Sequence, residues 1–241
     1  MPNTILHKAG TRGHADHGWL NSYHSFSFAN YHDPARVHFG ALRVLNDDTV
    51  APGRGFGKHP HDNMEIISIP LEGDLQHEDS MGNTAIIRNG DIQAMSAGTG
   101  IFHSEFNKNK DLPVKFLQIW LFPDKKNVAP RYSQVTLKAE DRHNRLQEIV
   151  SPEKTNGQPG VSINQEAWFS MGKFDKDFTT EYQLKKKGDG VYAFVLKGDI
   201  EVQGEALNER DGFGIWNTDQ ISVRANSQDA ELLLMEVPMT F

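Results

Sequence analysis

The chain contains no cysteine among its 241 residues. Disulfide bonds and thiolate chemistry are therefore excluded, and any bound metal ion must be held by histidine, aspartate or glutamate. No run approaches the roughly 20 consecutive apolar residues that a membrane-spanning helix needs. The first residues also lack a basic segment followed by an apolar run, so we expect no secretory signal and a cytoplasmic location.

Positive charge is also scarce. The chain contains 25 lysines and arginines against 32 aspartates and glutamates, which gives a formal net charge of -7. An acidic protein is not attracted electrostatically to nucleic acid or to anionic membranes, so we expect neither as a partner. The hydrophobic content of 37% is typical of a globular protein. The length allows one large β domain or two domains of about 110 to 120 residues.

Short segments rich in β-branched and aromatic residues, separated by turns, dominate the chain. Turns at Gly73, Gly82 and Gly90 separate them, and this spacing predicts an antiparallel all-β fold. A helix is predicted near 139–150 and a loop over 151–160. The segments that predict strands in the first half are 39–45, 64–69, 75–77, 84–87, 91–95 and 115–122.

The second half looks like a weak copy of the first. Residues 71–76, Leu-Glu-Gly-Asp-Leu-Gln, parallel residues 196–201, Leu-Lys-Gly-Asp-Ile-Glu, and a polar segment flanked by prolines at 123–130 predicts a linker between the halves. We therefore predict one barrel over 1–130 that binds a metal ion and a second over 131–241 that lacks the ligands. Counting back from the Gly-Asp turn places Leu184 and Lys186 where the first half has His59 and His61. Counting forward from a second matching pair, residues 89–92 and 211–214, places His103 near Ala225.

Two short motifs, His59-Pro60-His61 and His103-Ser104-Glu105, place metal-binding side chains two residues apart. Side chains alternate between the faces of a strand, so each pair points to one face. Two such pairs facing each other would offer three imidazoles and a carboxylate to one divalent metal ion, with positions left for substrate. Chance placement of exposed loop histidines is the competing interpretation, and the joint occurrence of both pairs favours a metal site.

The surroundings of these pairs match most of the two signature motifs of the cupin superfamily. The first runs from Gly53 through the His59 pair to Glu65, and the second from Gly90 through His103 to Asn107. The segments Phe39-Gly40-Ala41-Leu42-Arg43-Val44 and Ala97-Gly98-Thr99-Gly100-Ile101-Phe102-His103-Ser104-Glu105 resemble the pirin family, in particular its bacterial branch related to quercetin 2,3-dioxygenase.

The resemblance implies an all-β bicupin, with two antiparallel jelly-roll β-barrels and a short helix near their junction. It implies one metal ion per chain, held by His59, His61, His103 and Glu105. Iron(II) is the expected ion, although manganese, cobalt, nickel, copper and zinc accept the same ligands. The expected reaction is metal-dependent cleavage of a flavonol such as quercetin at the 2,3 position by O2, with Glu105 as the catalytic proton acceptor.

Several further side chains have more than one interpretation. We expect Glu65 to orient an imidazole, with a ligand role as the less favoured alternative. Asn107 could contact substrate or make a structural hydrogen bond, and Phe56 and Phe102 could line an apolar pocket or pack in the core. His77 is expected on a solvated strand face.

The resemblance also leaves a second function open. Pirins include regulatory proteins in which the metal senses redox state and the surface binds a protein partner. A non-redox cupin enzyme, such as an isomerase of a small oxygenated metabolite, is a third alternative. A regulator would have a shallow pocket, whereas an enzyme would need a cavity for its substrate.

Overall fold

The computed structural model describes residues 1–152 and 159–240, so residues 153–158 of the predicted loop lie outside the described part. The first twelve strands are β1 (Asn3–His7), β2 (Gly13–Asp16), β3 (Leu20–His24), β4 (Leu42–Val50), β5 (Gly55–His61), β6 (Glu65–Glu72), β7 (Leu75–Asp79), β8 (Thr84–Ile87), β9 (Asp91–Ser96), β10 (Ile101–Asn107), β11 (Val114–Leu121) and β12 (Arg131–Thr136). The remaining strands are β13 (Gln147–Ser151), β14 (Val161–Ser162), β15 (Trp168–Phe174), β16 (Thr179–Gln183), β17 (Asp189–Lys197), β18 (Ile200–Val202), β19 (Glu205–Leu207), β20 (Gly212–Trp216), β21 (Gln220–Ala225) and β22 (Ala230–Pro238).

These strands form two units, each built from one seven-stranded and one four-stranded sheet. The N-terminal unit has the orders β12-β9-β6-β11-β4-β3-β2 and β5-β10-β7-β8. The C-terminal unit has the orders β1-β20-β17-β22-β15-β13-β14 and β16-β21-β18-β19. Pairing between the named strands of the described residues is antiparallel except between β13 and β14, and an isolated bridge between His143 and Lys173 is also parallel. The prediction of an all-β bicupin with two jelly-roll units is confirmed.

The two units exchange strands across the boundary predicted at 130/131. β12 lies just after that boundary, yet it pairs with β9 of the N-terminal unit. β1 lies at the start of the chain, yet it pairs with β20 of the C-terminal unit. Each unit is therefore completed by a segment from the other side of the predicted boundary.

The predicted helix over 139–150 is wrong in most of its length. Residues Ala139–Arg142 form a single turn of 3-10 helix, the only helical element near the junction in the part of the chain that the structure describes, and Gln147–Ser151 form β13. The spacing of Leu146, Ile149 and Val150 suits a helix face, but the β-branched Ile149 and Val150 also suit a buried strand. The segment is a strand, because β13 pairs with β15. Among the described residues, no helix is long and apolar enough to cross a membrane.

The seven-stranded sheets of the two units share one hydrophobic core. Leu45, Ile67 and Ile119 from the N-terminal sheet belong to the same buried cluster as Phe169 and Met235 from the C-terminal sheet. Because side chains alternate along a strand, the neighbours of these N-terminal residues face the interior of their own unit. The inner face of the N-terminal sheet is thus distinct from the face that packs against the other unit.

The interiors of the two units differ in chemistry. A single apolar cluster fills the C-terminal unit. In the N-terminal unit two small apolar clusters are separated by a row of polar side chains across the sheet. Strand register aligns this polar belt in the order His24, Asn46, Gln118, Ser68 and Gln93.

Candidate metal centre

Three imidazoles converge inside the N-terminal unit. One nitrogen each from His59, His61 and His103 lies within 4.8 Å of the other two. His59 and His103 face each other across the β5–β10 pair, and their ring centroids are 4.4 Å apart. The centroid of the His61 ring lies 4.9 Å from that of His59 and 4.8 Å from that of His103.

Hydrogen bonding leaves the Nε2 atoms of these rings available. His59 Nδ1 lies 2.7 Å from the carbonyl oxygen of Gly57, so Nδ1 carries the proton and Nε2 keeps a lone pair. The Nε2 atoms of His61 and His103 are buried and have no hydrogen-bond partner among the described residues. Three unpartnered imidazole nitrogens in one place fit a divalent metal ion.

Burial keeps two of these rings in the neutral form that binds metal. Burial, assisted by the neighbouring His103 and His59, lowers the pKa of His61 to about 4. Burial also lowers the pKa of His103 to about 3, with His59 and His77 adding to the effect. At neutral pH both rings are therefore deprotonated, and no proton has to leave them when a metal binds.

Glu105 lies beside this cluster and is held by other partners. Its Oε1 accepts a hydrogen bond of 3.1 Å from the Ser68 hydroxyl, and its Oε2 accepts one of 2.8 Å from the Gln118 amide. The carboxylate lies within 4.8 Å of nitrogens of His77 and His103 rather than within the group of His59, His61 and His103. Its role as a fourth ligand stays a prediction.

His77 is buried, which contradicts the predicted solvated face. Its side chain is 0% exposed and packs against the Tyr132 ring, with centroids 4.9 Å apart. Its Nδ1 lies 3.5 Å from His103 Nδ1, and its Nε2 lies 3.3 Å from Asp79 Oδ2. This arrangement supports His103 from the side opposite its unpartnered Nε2, which is how protein groups commonly orient a metal-binding histidine.

A cavity of about 730 Å³ opens onto His59, His61 and Glu105. The Trp120 ring lies edge-on to His61, with centroids 5.0 Å apart, and Phe56 lies edge-on to Trp19 at 5.3 Å. The volume and the aromatic walls suit a small aromatic ligand. The aromatic and polar residues that line the rest of the cavity include Trp19, Phe28, Tyr31, Ser22, His24, Asn46, Asp48, Gln118 and Trp120.

Asp48 lies in the wall of this cavity and is almost fully buried. The Ser22 hydroxyl donates a short hydrogen bond to its Oδ1. Burial raises the pKa of Asp48 to about 7, and the Ser22 hydrogen bond opposes this rise only in part. The carboxyl group is therefore close to half protonated at neutral pH.

The raised pKa of Asp48 makes the stability of the metal-free protein depend on pH. Because the folded protein favours the neutral carboxyl, the stabilising contribution is full below about pH 4 and is lost as the pH rises through about 7. From pH 4 to pH 8, we expect the free energy of unfolding of the wild type to fall by roughly 4 kcal/mol relative to that of Asp48→Asn. This change corresponds to a shift of about three pKa units, each worth about 1.36 kcal/mol.

Urea denaturation of the metal-free wild type and of Asp48→Asn at each pH measures this difference. Groups that titrate in both proteins cancel in the subtraction. A difference that does not change with pH would show that Asp48 ionises normally.

The remaining predicted residues lie away from the imidazole cluster. Glu65 accepts hydrogen bonds from Ser96 and Asn164 toward the C-terminal unit, and burial raises its pKa. The expectation that it orients an imidazole fails because Asn63, with φ of 45°, turns the chain between β5 and β6, which belong to different sheets. The Asn107 side-chain amide donates hydrogen bonds to the carbonyl oxygens of Val50 and Leu112, as the structural interpretation of this residue expects.

The two phenylalanines differ in position. Phe56 lines the cavity, as one of its two interpretations expects. Phe102 is 49% exposed on the outer face of β10, where the Lys58 ammonium lies 5.6 Å from its ring centroid. It therefore lines neither the cavity nor the core.

The C-terminal unit carries apolar residues at the equivalent positions. On β21, Ile221 faces Tyr182 as His103 faces His59 on β10, and Val223 lies beside Val202. The counted equivalences are thus displaced, and Tyr182 rather than Leu184 matches His59, as Ile221 rather than Ala225 matches His103. The strand register does not match Gly90 with Gly212, and the segment from β9 to β10 is longer than that from β20 to β21. Both candidate metal-binding groups among the described residues lie in the N-terminal unit.

Sequence reasoning missed most of the polar cavity wall. The predicted site residues do not include His24, Asn46, Asp48 or Gln118, which all line the cavity. One local signal existed, because Asn46 and Asp48 occupy alternate positions of a strand whose other residues include Leu42, Val44 and Val50. Polar residues at alternate positions of a buried strand indicate a polar interior.

Comparison with known proteins agrees with this architecture. Residues 6–121 match the family model described as Pirin, and residues 148–237 match the model described as quercetinase C-terminal cupin domain. The chain is 41% identical over 233 residues to a quercetin 2,3-dioxygenase of Escherichia coli K12, covering 97% of this chain and 98% of the relative. It is 39% identical over 224 residues to a pirin-like protein of Caulobacter vibrioides, covering 93% of this chain and 95% of that protein.

A solved structure gives the same result in three dimensions. The bacterial pirin YhhW of Escherichia coli in complex with nickel(II) is 40% identical and superposes with a TM-score of 0.91 over 98% of this chain and 99% of that one. The similarity therefore extends over both units.

Proposed function

The chain belongs to the pirin family, and we propose that it is a metal-dependent dioxygenase that cleaves flavonols such as quercetin at the 2,3 position with O2. The observation that carries this proposal is the convergence of three unpartnered imidazole nitrogens at an aromatic cavity of about 730 Å³. The relatives named quercetin 2,3-dioxygenase support the choice of substrate class.

We assign the metal to the Nε2 atoms of His59, His61 and His103, with Glu105 as the fourth ligand. The nickel(II) complex of the relative supports a divalent ion, and we propose iron(II) as the ion in this protein. A divalent ion at this position lowers the pKa of a bound hydroxyl and provides a site for O2 chemistry.

Glu105 is the proposed acceptor of the proton that the substrate hydroxyl loses. The Ser68 hydroxyl and the Gln118 amide hold one carboxylate oxygen each, which fixes the orientation of the group inside the cavity. Each oxygen keeps one further lone pair, so one oxygen can bind the metal while the other accepts the proton. The aromatic rings of Trp19, Phe56 and Trp120 bind the substrate rings and exclude water from them.

The regulatory alternative predicts a shallow pocket, and the cavity supports the enzyme instead. Under this alternative the protein would bind its metal and a protein partner without turnover. A measurement of catalysis by the metal-loaded protein therefore distinguishes the enzyme from the regulator.

Oxygen uptake by iron(II)-reconstituted protein with quercetin tests the proposal. We expect uptake with release of carbon monoxide, and loss of both in His61→Ala. His143→Ala is the matched control, because His143 is an exposed histidine of the C-terminal unit. Absence of uptake in protein that holds one metal ion per chain would refute the dioxygenase assignment.

A further inference from the structure

Two buried side chains of the seven-stranded sheet line the cavity and carry polar atoms without a hydrogen-bond partner among the described residues. His24 on β3 is 3% exposed and Asn46 on β4 is 2% exposed, and both line the cavity. His24 Nδ1 and Asn46 Oδ1 have no hydrogen-bond partner among the described residues. A buried polar atom without a partner destabilises the unliganded protein, so a ligand that supplies partners would remove this cost.

The hydrogen bonds around His24 define it as an acceptor. When Asp48 is ionised, the Ser22 hydroxyl donates to Asp48 Oδ1, so Ser22 Oγ accepts from His24 Nε2, which lies 2.8 Å away. Burial lowers the pKa of His24, and the ring is neutral. With the proton on Nε2, His24 Nδ1 carries a lone pair that faces no donor.

Asn46 Oδ1 and the Asp48 carboxyl add further acceptor capacity at the same wall. Among the described residues, the one hydrogen bond to the Asp48 carboxyl is the one from Ser22 to Oδ1. Ser22 pairs with Asp48, and His24 pairs with Asn46, in the register of β3 and β4. The four side chains therefore form one compact group in which His24 Nδ1, Asn46 Oδ1 and the second Asp48 oxygen are hydrogen-bonding positions without a partner among the described residues.

We propose that His24, Asn46 and Asp48 form a hydroxyl-binding subsite that receives the phenolic hydroxyl groups at the end of the substrate remote from the metal centre. This inference rests on the proposed function and deepens it, because it assigns the substrate class as an aromatic molecule hydroxylated on an outer ring. A phenolic hydroxyl both donates and accepts hydrogen bonds, so it can pair with the lone pair of His24 Nδ1 and with either the donor or the acceptor atoms of Asn46 and Asp48.

The position of the subsite suits this role. His59 and His61 lie on the four-stranded sheet, whereas His24 and Asn46 lie on the seven-stranded sheet. Asn46 pairs with Gln118, whose amide donates to Glu105. With strands about 4.8 Å apart, His24 lies roughly 10 Å from Gln118, a separation that a molecule of two or three fused and linked rings can span.

The polar belt contains a matched control. Gln93 is 1% exposed, and neither of its amide atoms has a partner among the described residues, as for Asn46 Oδ1. However, Gln93 does not line the cavity. Asn46→Leu and Gln93→Leu therefore make the same chemical change in the same row, and only the first changes the cavity wall.

Anaerobic binding of two flavonols to the nickel-loaded protein tests the subsite. 3-Hydroxyflavone and quercetin share the metal-binding 3-hydroxyl and 4-keto groups, and only quercetin carries hydroxyls on its outer rings. In Asn46→Leu we expect the dissociation constant for quercetin to rise about tenfold, the effect of one typical hydrogen bond, and that for 3-hydroxyflavone to change less than about twofold. Gln93→Leu should change neither constant.

His24→Phe keeps the ring shape and provides a second test if Asn46→Leu does not fold, and it should show the same selective loss. Equal weakening of both ligands, or no weakening of quercetin, would overturn the subsite. Because this measurement needs no turnover, it separates the two proposals. Absence of oxygen uptake with selective binding would refute the reaction alone, and uptake without selectivity would refute the subsite alone.

Discussion

Replacing His103 with alanine is expected to weaken metal binding by at least about 100-fold and to abolish oxygen uptake with quercetin. His103 supplies one of three converging nitrogens and is buried beside His59, His61 and His77. Loss of a group that merely orients a metal ligand typically costs 10- to 100-fold, so loss of a ligand should cost more. Competition between the protein and a chelator of known affinity, with nickel(II) as the probe, measures the change.

Two further variants make this result specific. His143→Ala removes an exposed histidine of the C-terminal unit and should leave the affinity within about twofold, which excludes surface histidines as the source of binding. His59→Ala removes a proposed ligand that is only half-buried, so it should lose the metal with little effect on folding. Unchanged nickel affinity in both His59→Ala and His103→Ala would refute the assigned centre.

Replacing Phe169 with alanine is expected to lower the free energy of unfolding by about 3 to 5 kcal/mol. Phe169 is fully buried on β15, in the hydrophobic cluster that the seven-stranded sheets of both units share. Because that cluster includes Leu45, Ile67 and Ile119 of the N-terminal sheet, the loss should reach the metal-binding unit as well. Urea denaturation followed by circular dichroism measures the first effect, and release of bound nickel along the same titration measures the second.

Phe102→Ala is the matched control, because it removes the same side chain from an exposed position on β10. We expect it to change the free energy of unfolding by less than about 1 kcal/mol. If Phe169→Ala shifted the circular dichroism transition while nickel release stayed at the wild-type urea concentration, the two units would be energetically independent.

The sequence predicted the parts of the candidate site that depend on local spacing. His59 and His61 are two residues apart on β5, as are His103 and Glu105 on β10, so strand alternation alone indicates which side chains share a face. The similar turns at Gly73 and Gly198 likewise indicated the internal repeat, and the two units have matching sheet orders.

The parts that depend on long-range register could not be predicted in this way. The polar belt joins residues from His24 on β3 to Gln118 on β11, and only the pairing of five strands places them in one row. The error at Glu65 has a local cause, because the turn at Asn63 moves the chain to the other sheet and ends the alternation that begins at His59. His77 was misjudged because its burial depends on contacts with Tyr132, more than 50 residues away.

The exchange of β1 and β12 between the units limits where the chain can be divided into fragments that fold. A fragment ending at residue 130 would keep His59, His61, His103 and Glu105, yet it would leave the edge of β9 without the partner that β12 provides. The same fragment would carry β1 without β20 and would expose the apolar face that Phe169 and Met235 normally cover. Unpaired sheet edges and large apolar patches are the usual causes of aggregation, so we expect the isolated half to aggregate although every proposed ligand is present.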